Sequence, residues 1–413
     1  MNNRGLVAAA FCAAVGSGIA GAGEIKLVAK AIIPAKSTDL SGLTDMLAGG
    51  VEHNRLGALG SGIDFSGRND RYVMLPDRGP ADGATEYRCR FHVVEVVAGA
   101  GDSASIALAK TVLLSDEQGR PLVGSSAAFD AADPTGSTRF DPEAIRIARD
   151  GSVYISDEYG PQVCVFSPEG RLLRRFEVPA RYGVAHPDAI PGNELPPANT
   201  TGREPNGGFE GLALTPDGFT LVTMTQHALL QDGTIHTKDD GTKEVRGANL
   251  RMLMLSVEGD PPREFVYQMA SDSMGVNEIL AVSPTHFLVL ERDGKGGDKA
   301  AHKMLFLVNT EGATDVSGIA SLAERELPAG VRPVTKTRFL DLLDPRFGLK
   351  GDDFPKKVEG LSFGPNLGDG QGTLIVTTDN DFDDEQPTHV WVFSFDRADL
   401  PAARKTNAAP AGR

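Results

Sequence analysis

Carboxylates recur in this chain at matched positions of a repeated phrase. Glu143 stands in Pro142-Glu143-Ala144-Ile145 and Glu210 in Phe209-Glu210-Gly211-Leu212. Glu278 follows Asn277 in Asn277-Glu278-Ile279-Leu280, and Glu359 stands in Val358-Glu359-Gly360-Leu361. Each phrase passes through a turn such as Asp150-Gly151 or Pro216-Asp217-Gly218 into a second apolar run. The ends of those second runs form another set: Asp77-Arg78, Asp157-Glu158, Glu291-Arg292 and Asp379-Asn380-Asp381. Acids gathered in one place repel one another unless a cation joins them. Glu143, Glu210, Glu278, Glu359 and Asp379, with Asn277 as a neutral oxygen donor, therefore read as an oxygen-ligand site for Ca²⁺. The mixed acids and guanidinium groups of the second set suit hydrolysis of an anionic ester. Asp157, Glu158 or Glu291 would serve as base, and Arg78 and Arg292 would hold a phosphoryl or carboxyl group. Both sets also have a structural reading, in which each acid accepts backbone amides or pairs with an Arg of the next repeat.

What must carry these residues to one place is a ring of small sheets. A weaker copy opens the series, with Ser61-Gly62-Ile63 leading to Asp77-Arg78-Gly79, and it has no acid at the first position. Strand-like runs follow the phrases at residues 88–97, 162–166, 250–257, 303–308 and 390–395. Four strands per unit, repeating at about 65 to 80 residues, is the signature of β-propeller blades. The expected fold is all-β, a β-propeller of four-stranded blades in which five are legible and a sixth, degenerate one is left open. The innermost strand of each blade lines the channel, so an acid at its start faces the channel mouth. Residues 24–33 lack a nearby hairpin partner and would complete the last blade. Glycine agrees: 48 of 413 residues is about 12%, against a usual 7% or so, and scattered glycine means many tight turns. Loops at residues 186–208, 226–247, 294–301 and 310–333 are expected to shape the mouth.

Five motifs in order are similar to those of one known family. They are Asp77-Arg78-Gly79, Ser156-Asp157-Glu158-Tyr159, the run from Asn206 to Leu212, Leu290-Glu291-Arg292-Asp293, and Glu359-Gly360-Leu361 with Asp379-Asn380-Asp381-Phe382. Together they resemble the phytase-like domain, described as "esterase-like activity of phytase", over roughly residues 57–396. The resemblance implies a β-propeller and an esterase or phosphoesterase activity. The dense Asp/Glu and Lys clusters with which β-propeller phytases bind Ca²⁺ and phosphate are not matched here residue by residue.

The net charge of −15 argues against a nucleic-acid partner, whose phosphates need basic side chains. Residues 1–22 read as a secretory signal peptide, with Arg4 before an apolar run and Ala20-Gly21-Ala22 as the cleavage site. The expected division is signal peptide 1–22, propeller 23–397 and disordered tail 398–413, exported to the periplasm or beyond. No other stretch approaches the ~20 apolar residues that span a bilayer. Cys89 and Cys164 are open to a disulfide or to two buried thiols. Three motifs mislead. Gly360-Leu361-Ser362-Phe363-Gly364 fits a nucleophile elbow but lies in a first strand, with no helix to follow. The Asp379, Asp381, Asp383 run lacks the glycine and terminal Glu of an EF-hand loop. Asn199-Thr200-Thr201 is a glycosylation sequon. The leading reading is an exported Ca²⁺-dependent hydrolase of small anionic esters or phosphoesters. A propeller lactonase and a non-catalytic ligand- or protein-binding propeller are the alternatives.

Overall fold

The computed structural model describes residues 23–401 apart from 68–69, 99–102, 131, 134–135, 240 and 368–369. The expected signal peptide and the tail from 402 onward lie outside the described residues. Twenty-two strands are described, and all but two belong to five antiparallel sheets of four strands each. β1 (Lys26–Ile33) comes first in the chain and is paired last. Blade one is β2 (Gly62–Phe65), β3 (Arg71–Leu75), β4 (Arg90–Ala98) and β5 (Ala104–Leu113). Blade two is β6 (Pro142–Ile147), β7 (Val153–Asp157), β8 (Gln162–Phe166) and β9 (Leu172–Arg175). Blade three is β10 (Phe209–Leu214) and β11 (Thr220–Thr225), then, after the hairpin β12 (Thr234–Thr237) and β13 (Lys243–Arg246), β14 (Asn249–Ser256) and β15 (Arg263–Gln268). Blade four is β16 (Gly275–Ala281), β17 (His286–Arg292), β18 (Lys303–Asn309) and β19 (Thr335–Asp341). Blade five is β20 (Lys357–Phe363), β21 (Gln371–Asp379) and β22 (Thr388–Asp396), completed by β1 on its outer edge. Five blades form the propeller, with no sixth among the described residues.

Strand-to-strand turns use the glycines the sequence placed there. Gly151 and Gly218 sit at φ 90° and 83° in the inner hairpins, a backbone region that glycine alone enters without steric cost. Each sheet is apolar on both faces, and each pair of neighbouring sheets encloses its own core. Phe91, Ile145, Ile155 and Phe166 pack between blades one and two, with Cys89 and Cys164 among them as free thiols. Phe209, Leu212 and Tyr154 fill the next gap, Phe265, Tyr267 and Phe287 the third, and Leu288, Trp391 and Phe393 the fourth. Ile63, Met74, Ile375 and Val390 close the fifth, helped by Ala31 and Ile33 of β1. Ser362, in the elbow-like motif, is buried in β20 with its hydroxyl donated to the Phe363 carbonyl.

The polar stretch 226–247, expected to be loop, contains the β12–β13 hairpin. Its first strand is wholly exposed, so no apolar alternation announces it. The loop 186–208 is pinned from inside: Asn199 is buried, accepts the His186 N–H at 2.8 Å and donates to the carbonyls of His186 and Glu194. The tail boundary expected at residue 398 falls within a described turn, where Leu400 packs against the core of blades four and five.

β1 runs antiparallel to β22 from Lys26 opposite Ser394 to Ile33 opposite Thr388. Removing it leaves β22 as an unpaired edge and strips the last core of two side chains, and such edges recruit other chains. A truncation starting at Thr38 is expected to aggregate or melt far below the chain starting at Gly23, by light scattering and thermal denaturation. An unchanged melting temperature in a monodisperse truncation would remove the closure argument.

Candidate functional site

The channel-mouth residues are aimed by irregularities in the inner strands. In blades two to five the first hairpin slips register where the repeated phrase stands: between Pro142 and Ile145, Phe209 and Gly211, Val276 and Glu278, and Val358 and Leu361. A bulge of this kind turns one side chain out of the sheet's alternation. The residues so placed are Glu143, Glu210, Asn277 and Glu359. Blade one pairs without a slip, and it is the blade whose phrase carries Ser61 in place of an acid. Gly211, after the bulged Glu210, and Gly62, at the matching place in the unbulged blade one, face the next inner strand at close range. A Cβ on Gly211 would stand 2.9 Å from the Glu278 carbonyl carbon, and one on Gly62 would stand 2.9 Å from the Glu143 carbonyl oxygen.

Glu143, Glu210, Asn277 and Glu359 line one cavity of about 360 Å³ together with Glu158, Arg78 and Arg292. Arg78 donates to Glu158 at 3.0 Å, to Asp82 at 2.6 Å, and to Asp141 and Asn206. Arg292 donates to Glu359 at 2.7 Å, while its Nε is buried without a partner among the described residues. Glu210 accepts from Gln226 and from Asn277, each at 2.7 Å. That bond leaves the Asn277 carbonyl oxygen buried and unpartnered among the described residues.

Two groups of three carboxylates lie close enough to hold a metal ion, with oxygens within 4.8 Å of one another: Asp77, Asp379 and Asp381, and Asp141, Glu143 and Glu158. The first already encloses a cation. Lys357 Nζ is 2.8 Å from Asp379 and 3.8 Å from Asp77, and it also pairs with Asp381. In the second, Arg78 spans Asp141 and Glu158, but no donor among the described residues reaches Glu143. Burial, then the neighbouring carboxylates of Glu210, Asp141 and Glu158, pushes the Glu143 carboxyl well above its ordinary range. Burial, with Glu158 and Glu359 nearby, does the same to Glu210. Glu359 is raised less freely, because Lys357 and Arg292 oppose its burial.

Other expected site residues are placed elsewhere. Asp157 points into its own turn, accepting from the backbones of Asp141, Tyr159 and Gly160 and from Gln162. Glu291 lies between blades three and four, where it accepts from Tyr267 at 2.7 Å, Lys336 at 2.8 Å and the Ala270 N–H. Burial opposes its charge, but His302 and Lys336 prevail and hold it at about 2. Glu278 occupies the position after the bulge, so it turns away from the mouth. It pairs at 2.9 Å with Arg146, which reaches from blade two across the channel to the carbonyls of Ile63 and Ile279. This pair closes the channel beneath the acids, so the mouth is a cup. The mouth also recruits Asn206, Gln226, His227 and Lys357, with Asp141 and Glu204 behind Arg78 and His227, none of which the repeated phrase marks. Lys357 does stand two residues before Glu359, a spacing along one strand face that offered a signal.

Residues 54–382 match the family described as phytase-like, esterase-like activity of phytase. The chain belongs to the phytase-like family. An uncharacterized secreted protein of Arthroderma benhamiae is 28% identical over 302 residues, 57% of this chain and 57% of that protein. The chain thus spans little more than half the length of that curated relative. Among solved structures, the calcium-binding protein regucalcin of Agrobacterium tumefaciens is 10% identical at a TM-score of 0.34, covering 84% of this chain and 94% of its own. Virginiamycin B lyase of Staphylococcus aureus is 10% identical at a TM-score of 0.32, covering 90% of this chain and 100% of its own. Neither likeness bears on the chemistry of this phytase-like chain.

Glu143, Glu210 and Glu359 of this phytase-like domain have folded pKa values above their ordinary ones. Their stabilising contribution is complete below about pH 4 and is lost as pH rises through the folded values. In chelator, the melting temperature is therefore expected to fall as pH rises above about 4.5, and Glu143→Gln to flatten that fall. Glu291, shifted the other way, loses its contribution only below about pH 4.5, outside this window. Burial also pushes the Glu278 carboxyl up, to about 7 against the pull of Arg146, so Glu278→Gln is told apart by its cost, about 3 kcal/mol in denaturant titration, because Arg146 is left buried without its carboxylate. A pH-independent melting temperature, or equal effects of the two substitutions, would contradict the division between cup and plug.

Proposed function

We propose that this phytase-like propeller is an exported, Ca²⁺-dependent hydrolase that cleaves ester or phosphoester bonds of small anionic substrates in the cup. The observation that carries the reading is the Glu143 carboxylate, buried among three other acids with no donor, in the same cavity as the unpartnered Asn277 carbonyl oxygen. Carboxylate and amide oxygens together are the donor set that a hard divalent cation takes. Glu143, Glu158, Glu210, Asn277 and Glu359 would hold it. Asp379 is already engaged by Lys357, and Asp157, Glu278 and Glu291 have partners of their own, so none of these four enters the proposal. A Ca²⁺ held by these residues would supply Lewis acidity and offset negative charge on the ester oxygens.

The remaining work belongs to the chain. Arg292, which lines the cup, would hold the anionic group of the substrate, with Lys356 and Lys357 in the same lining. Arg78, fixed by four acceptors, anchors Glu158 and closes the opposite wall. The Gln226–Glu210–Asn277 chain of hydrogen bonds fixes the amide that offers its carbonyl. The Arg146–Glu278 plug ends the cavity, which limits the substrate to a small molecule or the tip of a larger one. Export is supported by the apolar segment at residues 6–15 with Ala20-Gly21-Ala22 after it, and by the secreted relative. No helix among the described residues is long and apolar enough to cross a membrane.

The test is a panel of phytate, phosphomonoesters, acyl esters and lactones, assayed with Ca²⁺ and with chelator. Turnover of at least one anionic ester is expected, falling by about a hundredfold or more in chelator, in line with metal-assisted hydrolysis. Arg292→Gln should raise KM by about tenfold, because it removes a charge-assisted contact with the substrate. Turnover of lactones alone would redirect the assignment to cyclic esters. No metal-dependent turnover on any member would overturn the hydrolase reading in favour of ligand binding.

A further inference from the structure

We propose that His227 is the proton-transfer residue of the cup, its Nε2 facing the reacting water, and that Glu204 positions it; the inference rests on the hydrolase reading above. His227 is the one imidazole lining the cup among the described residues. It stands just beyond the end of β11, where Thr225 Oγ1 donates to its carbonyl oxygen at 2.6 Å and fixes the turn. Its Nδ1 lies 2.6 Å from Glu204 Oε1. The other carboxylate oxygen of Glu204 accepts the Val245 N–H at 2.6 Å. Val245 belongs to β13 and is buried in the core between blades three and four, so the exposed hairpin is tied to the site through this bond. Glu204 is buried, and Gly207 makes room for it, since a Cβ there would stand 2.6 Å from the Glu204 Cγ.

A carboxylate only accepts hydrogen bonds, so the bond to Glu204 puts the proton of the neutral ring on Nδ1 and leaves the Nε2 lone pair bare. Nε2 has no hydrogen-bond partner among the described residues. Gly275 keeps its approach open, because a Cβ there would stand 3.4 Å away. The charged groups that face the ring are Glu204, Glu158 and Arg292, with Lys238 on the cavity wall beyond. Burial disfavours the imidazolium, but the bond to Glu204 outweighs it and moves the pKa upward.

In the reaction, the water oxygen forms the new bond to the carbonyl carbon or phosphorus while the bond to the leaving oxygen breaks. The water proton passes to His227 Nε2, and from there to the leaving oxygen, so the imidazole ends as it began. The products are the acid and the alcohol, and no other reactant is consumed. Glu204 touches neither water nor substrate. It is a positioning residue.

The experiment pairs ¹⁵N correlation spectra of the His227 ring with kinetics of the full mature protein on whichever panel ester it hydrolyses. Above its pKa, the ring is expected as the Nδ1–H form, and His227→Asn should lower kcat by at least a hundredfold with KM within about threefold. Glu204→Gln is the second variant. Its amide oxygen can keep the Val245 bond while its NH₂ meets Nδ1, which moves the ring proton to Nε2 and should lower kcat without loss of melting temperature. An Nε2–H ring in the wild-type protein overturns the inference whatever the substrate. Turnover that survives His227→Asn within threefold overturns the role of His227 alone. Absence of wild-type turnover on every ester overturns the hydrolase reading, and the role of His227 with it.

Discussion

Five sheets closed around one axis leave little room at the centre, and that narrowness governs the chemistry of the mouth. Inner strands approach until a Cβ at Gly62 or Gly211 would collide with the neighbouring backbone. Acids carried on bulges one position earlier, Glu143, Glu210 and Glu359, are thereby brought to one cavity, and within blade two the oxygens of Asp141, Glu143 and Glu158 lie within 4.8 Å of one another. At about 5 Å and an effective dielectric of about 20, two like charges repel by roughly 3 kcal/mol. The protein answers with whatever positive charge can reach: Arg78 across one triad, Lys357 inside the other, Arg292 against Glu359. Glu143 and Glu210 pair with none of these, and Glu210 has the amides of Gln226 and Asn277 where Glu143 has no donor among the described residues.

The same narrowness makes the channel a cup. One position past the bulge in blade four stands Glu278 where other blades carry Gly or Ala, and its carboxylate meets Arg146 from blade two. A buried ion pair gains little over apolar packing, but here Arg146 also donates to the carbonyls of Ile63 and Ile279 and so ties together the inner strands of blades one, two and four. Mouth and plug therefore share a repeat while carrying opposite roles, separated by one residue of register.

Much of this was legible in the sequence, and the parts that were not have physical causes. The acid-Gly-Leu phrase gave the blades, their inner strands and the convergence of Glu143, Glu210 and Glu359, because a strand of period two keeps matched residues on matched faces. It did not give the bulge, which is a slip in pairing with no residue of its own to announce it. Asn277 and Glu278 were consequently indistinguishable as mouth residues until register separated them. Asp157 and Glu291 end their strands as acids should, yet backbone amides, Tyr267 and Lys336 had the shorter path to them than the cup did. Glu204 and His227 meet from 23 positions apart in two irregular loops, and no periodicity links such a pair. The β12–β13 hairpin that supports them is exposed on its first strand, so hydrophobic alternation could not mark it.

Asn199 carries the sequon Asn199-Thr200-Thr201, yet its amide nitrogen is spent on the carbonyls of His186 and Glu194 inside the loop. Oligosaccharide transfer in a eukaryotic secretory host acts on an accessible asparagine, so any sugar there must arrive before this loop closes. A glycan on that nitrogen takes away one of its two hydrogens and demands space that the buried side chain does not have. The loop it would hold open also carries Asn206 into the cup and Glu204 against His227. Host choice for producing this protein is thus a structural variable, with glycosylated and sugar-free preparations differing in the wall of the site itself.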